Sequence, residues 1–231
     1  MEKNEKRSRH EFKYLISAAQ IPMLQNRIRH LLLKDAHADA KGGYTVRSLY
    51  FDDDQNSCYY ENENGTDPRE KFRIRIYNGN TDRIMLECKR KEHGMTMKTS
   101  CPLTRAQTEQ LMQGKVLPDI GNQPPLLQKL TVQMLTRRLH PVVIVEYDRI
   151  PYVYPNGNVR VTMDTNVAAS DRIHNFLEPQ IPKRPVLAMG QQLLEVKYDA
   201  YLPDFIYRNL QLQNLQRTAF SKYYICRKFT R

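Results

Sequence analysis

The stretch Lys71-Phe72-Arg73-Ile74-Arg75-Ile76-Tyr77 (KFRIRIY) alternates basic and apolar side chains over most of its length. Because successive side chains of a β-strand point to opposite faces, the alternation predicts a strand with one basic and one apolar face. The same spacing recurs with Glu and Lys in three other strand-like segments: Glu11-Phe12-Lys13, Glu87-Cys88-Lys89 and Glu195-Val196-Lys197. The set suggests a sheet closed into a barrel, with an ionic lumen suited to a polyanion and a metal.

A solvent-exposed sheet face would also explain such alternation. Cross-strand Glu–Lys pairs on an exposed face each stabilise a sheet by about 0.2–1 kcal/mol, and a single Glu-x-Lys favours this explanation. The complete set favours a barrel lumen over an exposed face, because it contains more basic residues than Glu–Lys pairs between strands would require. Two further segments extend the set: VIVEYDR places Tyr147 and Arg149 on one face, and VRVTMD places Arg160, Thr162 and Asp164 on one face.

The composition favours one domain with an anionic partner. The chain has 231 residues and shows no convincing internal boundary, so we expect a single domain over residues 1–231. Its formal net charge of +11 favours phosphate, nucleic acid or a membrane surface as a partner, or else a solvated basic surface. No run approaches the roughly 18 apolar residues of a transmembrane helix, and no secretory signal is recognisable. The four cysteines form no CxxC pair, so we expect a cytoplasmic protein with free thiols and no zinc site formed by these cysteines.

Strand signals dominate the chain and helices punctuate them. Capping boxes at Ser17–Gln20 and Thr104–Gln107 predict helices to about residue 34 and to Gly114, and proline starts predict helices over 126–138 and 203–216. Asn78-Gly79 and His93-Gly94 predict tight hairpins. The predicted strands are 8–16, 43–51, 70–77, 83–91, 95–101, 142–153, 158–164, 192–199 and 221–227.

The charged faces suit a triphosphate or a polyphosphate. Arginine donates two parallel hydrogen bonds to phosphate oxygens, and lysine supplies a point charge. Glutamates among these bases make sense if a hard divalent cation is bound as well, since Mg²⁺ and Mn²⁺ favour carboxylate oxygens. The sequence contains no P-loop, no G-x-G-x-x-G and no HExxH. It also lacks an RNP-like signature, so nucleic acid is a weaker candidate partner.

Eight motifs occur in the order that resembles the VTC (vacuolar transporter chaperone) domain, the polyphosphate polymerase branch of the triphosphate tunnel metalloenzymes. They are RHEFKYLIS, VRSLYFD, KFRIRIYN, LECKRK, VIVEYDR, VRVTMD, LLEVKYD and FSKYY, and they span about residues 7–227. The resemblance implies a mainly β (α+β) fold, namely a closed antiparallel eight-stranded β-barrel tunnel with helices packed outside. It also implies ATP and inorganic polyphosphate as ligands, Mn²⁺ or Mg²⁺ as cofactor, and transfer of the terminal phosphate of ATP to a polyphosphate chain. A membrane partner is compatible with it.

The resemblance also assigns site residues. The catalytic phosphate ligands it implies are Lys13, Arg73, Arg75, Lys89, Arg149, Arg160 and Lys222. Tyr147 and Ser221 are implied as hydrogen-bond donors to substrate, and Arg47 and Lys197 as substrate-binding residues of the lumen. Glu195 is implied as the metal ligand, with Glu11 and Glu87 as lesser candidates by analogy with the wider superfamily.

One departure from the superfamily bears on the reaction. Its hydrolases often begin with E-x-E-x-K, and here Arg9 stands in place of the first acid. This favours the polymerase branch over triphosphatases and adenylate cyclases. Two alternatives stay open on the sequence: a hydrolase of tripolyphosphate or nucleoside triphosphates, and a non-catalytic module that binds polyphosphate or nucleic acid.

Overall fold

A long antiparallel sheet dominates the computed structural model, which describes residues 9–40 and 42–230. Its strands are β1 (His10–Ser17), β2 (Leu33–Lys34), β3 (Tyr44–Asp52), β4 (Arg69–Tyr77), β5 (Asn80–Glu92), β6 (Met95–Leu103), β7 (His140–Tyr154), β8 (Val159–Ser170), β9 (Arg184–Pro185) and β10 (Gln191–Tyr198). The helices are α1 (Gln20–Ile28), α2 (Ser57–Glu63), α3 (Arg105–Met112), α4 (Pro125–Arg137), α5 (Asp204–Asn209) and α6 (Lys222–Thr230). No helix among these residues is both long and apolar enough to cross a membrane.

Eight of the strands follow one another in the order β1-β10-β8-β7-β3-β4-β5-β6, and the two-residue strands β2 and β9 pair with β7 and β8. The sheet curls so far that its two edge strands touch, through a single antiparallel bridge between Arg9 and Thr96. Within the described residues no longer ladder joins β1 to β6. The mainly β fold with helices is therefore confirmed, while the edges of the curled sheet meet at one bridge rather than along a closed seam.

Apolar side chains on the convex face of the sheet hold the outer helices. Under α3 and α4, Ile74 of β4 and Leu86 of β5 pack in one cluster with Leu111 and Leu127. A second cluster joins α1 and α5 to β8 and β10. Full burial of such a side chain stabilises the fold by about 1.5–3 kcal/mol. The convex face of each strand thus contributes to stability, and the side chains of its other face point to the concave side of the sheet.

The last helix, α6, lies on the opposite side of the sheet from α3 and α4. Val143 and Val145 of β7 belong to the same apolar cluster as Cys226 of α6. Ile144, between these two valines, belongs to the cluster under α3 and α4. Since neighbouring strand residues face opposite ways, α6 packs against the concave face of β7 and closes part of that space.

Several local predictions are confirmed. Thr104 Oγ1 accepts from the Gln107 backbone N–H and the Gln107 side chain accepts from Thr104, which completes the capping box of α3. The helix predicted over 126–138 is α4. Asn78 and Gly79 both have positive φ (53° and 66°), as the two central residues of a type I′ hairpin require.

Three predicted elements differ from the structure. The strand predicted over 221–227 is the helix α6, which begins where Ser221 Oγ accepts the Tyr224 N–H at 3.3 Å. The helix predicted to about residue 34 ends at Ile28, because Leu33 and Lys34 pair with β7 instead. The helix predicted over 203–216 covers only Asp204–Asn209, followed by a 3₁₀ turn. In addition, α2 has no counterpart among the predictions.

Candidate functional site

A cavity of about 1000 Å³ occupies the concave side of the sheet. The described residues that line it include fourteen Lys and Arg side chains and only two Glu side chains. Its volume lies at the upper end of the range of small-molecule sites, about 300–1,000 Å³. The cavity is therefore large enough for a substantial ligand and has the charge of a polyanion site.

Most of the residues implied by the family resemblance meet in this cavity. Those that line it are Glu11, Lys13, Arg73, Arg75, Lys89, Tyr147, Arg149, Arg160, Glu195, Lys197, Ser221 and Lys222. They come from six strands and from the start of α6, so the curl of the sheet is what brings them together. Arg47 and Glu87 are not among the lining residues.

Asp164 supports two of the basic residues from behind the cavity wall. Its side chain is fully buried and accepts from Arg149 Nε at 2.7 Å and Nη2 at 2.8 Å. Lys222 Nζ lies 2.6 Å from the second carboxylate oxygen. Burial alone would raise the pKa of Asp164, but Arg149 and Lys222 outweigh it and hold that pKa well below its usual value. The sequence placed Asp164 on the face of Arg160 but gave it no role, although Arg149 and Asp164 are direct cross-strand partners.

The ring of Tyr147 completes this part of the wall. Lys222 Nζ lies 4.7 Å and Arg149 Cζ 5.2 Å from its centroid. Such cation–π contacts hold both cations over one surface.

Glu87 supports a second basic group. Arg73 Nη2 lies 2.6 Å and Arg75 Nη1 3.5 Å from one of its oxygens, and Lys98 Nζ lies 3.0 Å from the other. Burial would raise the pKa of Glu87, but Arg73, Arg75 and Lys98 outweigh it and lower that pKa strongly. The structure thus places this candidate metal ligand in ion pairs with three bases rather than beside Glu11 and Glu195. Lys98 was missed from the sequence; its register opposite Lys89 in the predicted β5–β6 hairpin was the available signal.

Glu11 and Glu195 form the acidic part of the cavity. Lys13 Nζ lies 2.9 Å from Glu11 and 3.9 Å from Glu195, and their carboxyl groups interact with each other. Lys89 contacts Glu11 at 2.8 Å, and Lys197 contacts Glu195 at 3.1 Å. Burial would raise the pKa of Glu11, but these lysines hold it well below its usual value.

The donor set of this acidic part fits a hard divalent cation that also binds phosphate. In the described part of the chain no three His, Cys, Asp or Glu side chains come together as a metal-binding group. Mg²⁺, however, commonly binds through one or two carboxylates and completes its coordination with waters and substrate phosphates. Glu11 and Glu195 supply two carboxylates inside a cavity suited to phosphate, so this pair could hold Mn²⁺ or Mg²⁺.

Arg47 lies on the convex face of β3, so its predicted position in the lumen is wrong. Its Nη1 donates to the Phe176 carbonyl at 2.9 Å, its Nη2 to the Pro179 carbonyl at 3.2 Å, and its Nε to Glu146. The neighbouring Ser48 is buried on the opposite, concave face of β3, where its Oγ accepts from Arg75 Nε at 3.0 Å. Strand alternation therefore sends Arg47 outward, where it fastens the loop after β8 to the sheet.

Two regions of the basic wall differ in whether a buried acid supports their side chains. The acid-supported region consists of Arg73, Arg75 and Lys98 on Glu87, and of Arg149 and Lys222 on Asp164. The unsupported region consists of Arg69, Lys71 and Lys91, which line the cavity without an ion pair to any described carboxylate. In the register of β4 and β5, Arg69 lies opposite Lys91.

Comparisons with known proteins identify the family of the chain and its fold. The model of the VTC domain family matches residues 8–231. No curated protein matches the chain. A candidate adenylate cyclase from Bacillus halodurans has 13% sequence identity and a TM-score of 0.50, over 89% of this chain and 88% of that one. A candidate adenylate cyclase from Vibrio parahaemolyticus has 10% identity and a TM-score of 0.49, over 96% and 98% of the two chains.

At these identities the structural likeness concerns the fold alone. The family match, in contrast, covers nearly the whole chain and includes every strand and helix that lines the cavity. The chain belongs to the VTC domain family.

Proposed function

We propose that the cavity binds ATP and inorganic polyphosphate and transfers the terminal phosphate of ATP to the polyphosphate chain. The excess of fourteen basic over two acidic side chains along its lining carries the proposal. A polyphosphate has a negative charge on every phosphate, and its binding needs a continuous series of cations rather than one. Membership of the VTC domain family supports the same function.

The supported arginines are suited to hold the phosphates in place. Arg149 uses Nε and Nη2 on Asp164 and Glu195, which leaves its Nη1 donors for a phosphate oxygen. Because its orientation is fixed before the ligand arrives, little conformational entropy is lost on binding. Lys222 and Ser221 lie at the start of α6 beside it, and Lys222 stays charged since Asp164 and Glu195 outweigh its burial and raise its pKa.

The reaction in this proposal is an in-line displacement. A terminal oxygen of the polyphosphate attacks the γ-phosphorus of ATP, a new P–O bond forms, and the bond from that phosphorus to the β,γ-bridging oxygen breaks to release ADP. No side-chain nucleophile takes part. The basic residues act by aligning the two chains and by stabilising negative charge that develops on the transferred group.

Glu195 and Glu11 would hold the divalent cation. Bound there, Mn²⁺ or Mg²⁺ would neutralise charge on the phosphate oxygens. Without it, Lys13, Lys89 and Lys197 neutralise these two carboxylates. Glu87 has no part in this proposal.

In the proposed function the curled sheet works as a tunnel. The bridge between Arg9 and Thr96 joins β1 to β6, and the ion pair of Glu11 with Lys89 joins β1 to β5 at 2.8 Å. These contacts would keep the two edges together around a bound chain.

The test is an incubation with ATP and Mn²⁺, followed by separation of acid-insoluble polyphosphate from orthophosphate. We expect one ADP for each phosphate incorporated into polymer, and no polymer from Glu195→Gln, which keeps the shape of the side chain but removes its charge. Glu109→Gln, at an exposed position of α3 outside the cavity, is the matched control and should behave as the wild type.

Two outcomes would contradict the polymerase. Release of orthophosphate without polymer would assign hydrolysis of triphosphates to the cavity. Salt-dependent binding of polyphosphate without turnover, unchanged by a chelator, would assign a binding module instead.

A further inference from the structure

Lys71 is a cavity residue to which the family resemblance assigns no role. It lies on the cavity face of β4, two residues before Arg73. Its Nζ donates to Asn62 Oδ1 of α2 at 2.6 Å and lies 5.0 Å from the centroid of the Tyr223 ring of α6. Asn62, Lys71 and Tyr223 all line the cavity, so β4, α2 and α6 meet here around one ammonium group.

The partners of Lys71 differ from those of five other lysines of the cavity. Lys13, Lys89, Lys98, Lys197 and Lys222 each contact a carboxylate. Within residues 9–40 and 42–230, no carboxylate lies within ion-pair distance of Lys71 Nζ. Its hydrogen-bond partner among these residues is a neutral amide, so its charge has no carboxylate in direct contact.

The surroundings of Lys71 disfavour its charged form. Burial is the main cause, and Arg69, Lys89 and Lys13 add repulsion, so the pKa of Lys71 falls to about 7. On α2, Asn62 carries no charge, and Cys58 acts in the opposite direction and favours the charged form of Lys71. Glu61 of α2 also interacts electrostatically with Lys71, but its carboxylate lies 3.5 Å from Arg137, which is its ion-pair partner.

We propose that Lys71 and Asn62 form an additional phosphate-binding position of the cavity, at which the phosphate chain binds together with a proton from solvent. The geometry carries this inference: the ammonium group of Lys71 lies inside a basic cavity, held by an amide and a ring, with no described carboxylate within ion-pair distance, so a phosphate oxygen could serve as its counterion. It rests on the proposed function, because the ligand is the phosphate chain that the same cavity would bind.

The direction of the proton movement follows from the charges. In the free protein Lys71 is largely neutral above about pH 7 and charged below it. A phosphate group beside Nζ favours the charged form and raises its pKa again. Binding of the anion should therefore take up a proton at pH 8 and none at pH 6, where Lys71 already carries its proton.

Isothermal titration of tripolyphosphate in buffers of different ionisation enthalpy measures this proton. The comparison is between wild type, Lys71→Arg, which is charged at every pH used, and Asn62→Asp, which places a carboxylate beside Nζ and keeps Lys71. Protons that tripolyphosphate itself takes up or releases on binding are common to the three proteins, so they cancel when the proton uptake of one protein is subtracted from that of another. We expect wild type to take up about half a proton more than Lys71→Arg at pH 7, nearly one more at pH 8, and about none more at pH 6.

Asn62→Asp should show the same loss of uptake as Lys71→Arg, because Lys71 is then protonated before the ligand arrives. Either variant suffices if the other does not fold. Equal proton uptake by wild type and the folded variants would overturn the inference and leave the proposed function in place. Failure of the wild type to bind tripolyphosphate at any pH would contradict both.

Discussion

The acid-supported and the unsupported regions present the same basic groups to one cavity, but they hold them differently. In the first, a buried acid fixes each cation: Asp164 accepts from Arg149 at 2.7 and 2.8 Å. In the second, Lys71 Nζ donates to the neutral Asn62 at 2.6 Å and has no ion pair with a described carboxylate. A fixed cation keeps its charge and direction without ligand, whereas an unsupported one depends on the ligand for its counterion.

The difference has a thermodynamic consequence. Removal of one partner from a buried ion pair leaves an uncompensated charge and costs about 3–5 kcal/mol, so the supported region should be sensitive in stability as well as in binding. Lys71 has no such partner to lose. Changes there should affect binding and its pH dependence while leaving the fold intact.

The largest effect is expected for Asp164→Asn. Arg149 and Lys222 would lose their common carboxylate in a fully buried position. We expect the free energy of unfolding at pH 7 to fall by about 3–5 kcal/mol, measured by urea denaturation. Asp204→Asn is the control: its ion pair with Arg208 is 2.8 Å long but exposed, so the change should be below about 1 kcal/mol.

The same pair of proteins gives a pH test. The pKa of Asp164 is lowered in the folded state, so its contribution is present above the ordinary aspartate pKa of about 3.9 and is lost as the pH falls towards the folded value. The stability difference between wild type and Asp164→Asn should shrink below about pH 4. A difference that stays constant down to pH 3 would contradict the assignment of Asp164 as the charged support.

The second largest effect is expected for Lys222→Met, which removes a supported cation but leaves the acid. Loss of one preorganised group that stabilises developing charge typically costs about 10²–10³ in rate. We expect a loss of that size in polymer formation from ATP and Mn²⁺, beyond any change in the binding of ATP. Lys115→Met serves as the charge-matched control. An increase in KM with kcat unchanged would show that Lys222 binds substrate without stabilising the transition state.

Local periodicity explains which parts of the site the sequence could predict. KFRIRIY alternates because its two faces meet different surroundings, the cavity and the cluster under α3 and α4, so Arg73 and Arg75 were placed correctly. The segment VRSLYFD does not alternate, because all seven residues from Val46 to Asp52 are buried, whichever face of β3 they lie on. With no pattern to distinguish inside from outside, Arg47 was assigned to the wrong face.

Tertiary contacts decided the remaining differences. SKYYICR is rich in aromatic and β-branched residues, which favours a strand locally. It is a helix because Tyr223 and Cys226, three residues apart, are both buried against the concave face of the sheet. The pairing of Lys71 with Asn62 depends on the position of α2, which was not predicted, so no local signal could have found it.

For the unsupported region, Lys71→Met should weaken tripolyphosphate binding in a pH-dependent way. At pH 6 the wild-type ammonium is charged in the free protein, and its loss should weaken binding by about tenfold, or about 1.4 kcal/mol. At pH 8.5 the wild type must first take up a proton, so the ratio of the two dissociation constants should be smaller. Lys115→Met should show no change at either pH. An equal ratio of the dissociation constants of Lys71→Met and wild type at the two pH values would contradict the role of Lys71.

The smallest effect should come from a position remote from both regions. Thr104→Ala removes the hydroxyl that caps α3 on the convex side of the sheet, which should lower the free energy of unfolding by about 1 kcal/mol. Thr104→Ser keeps the hydroxyl and should restore the stability. Because the concave face contributes no atoms to this cap, the dissociation constant of tripolyphosphate should change by less than about twofold, when it is measured well below the unfolding temperature. A larger change would mean that the convex helices set the positions of the basic groups, and the difference between the two regions could then no longer be attributed to Asp164, Glu87 and Asn62 alone.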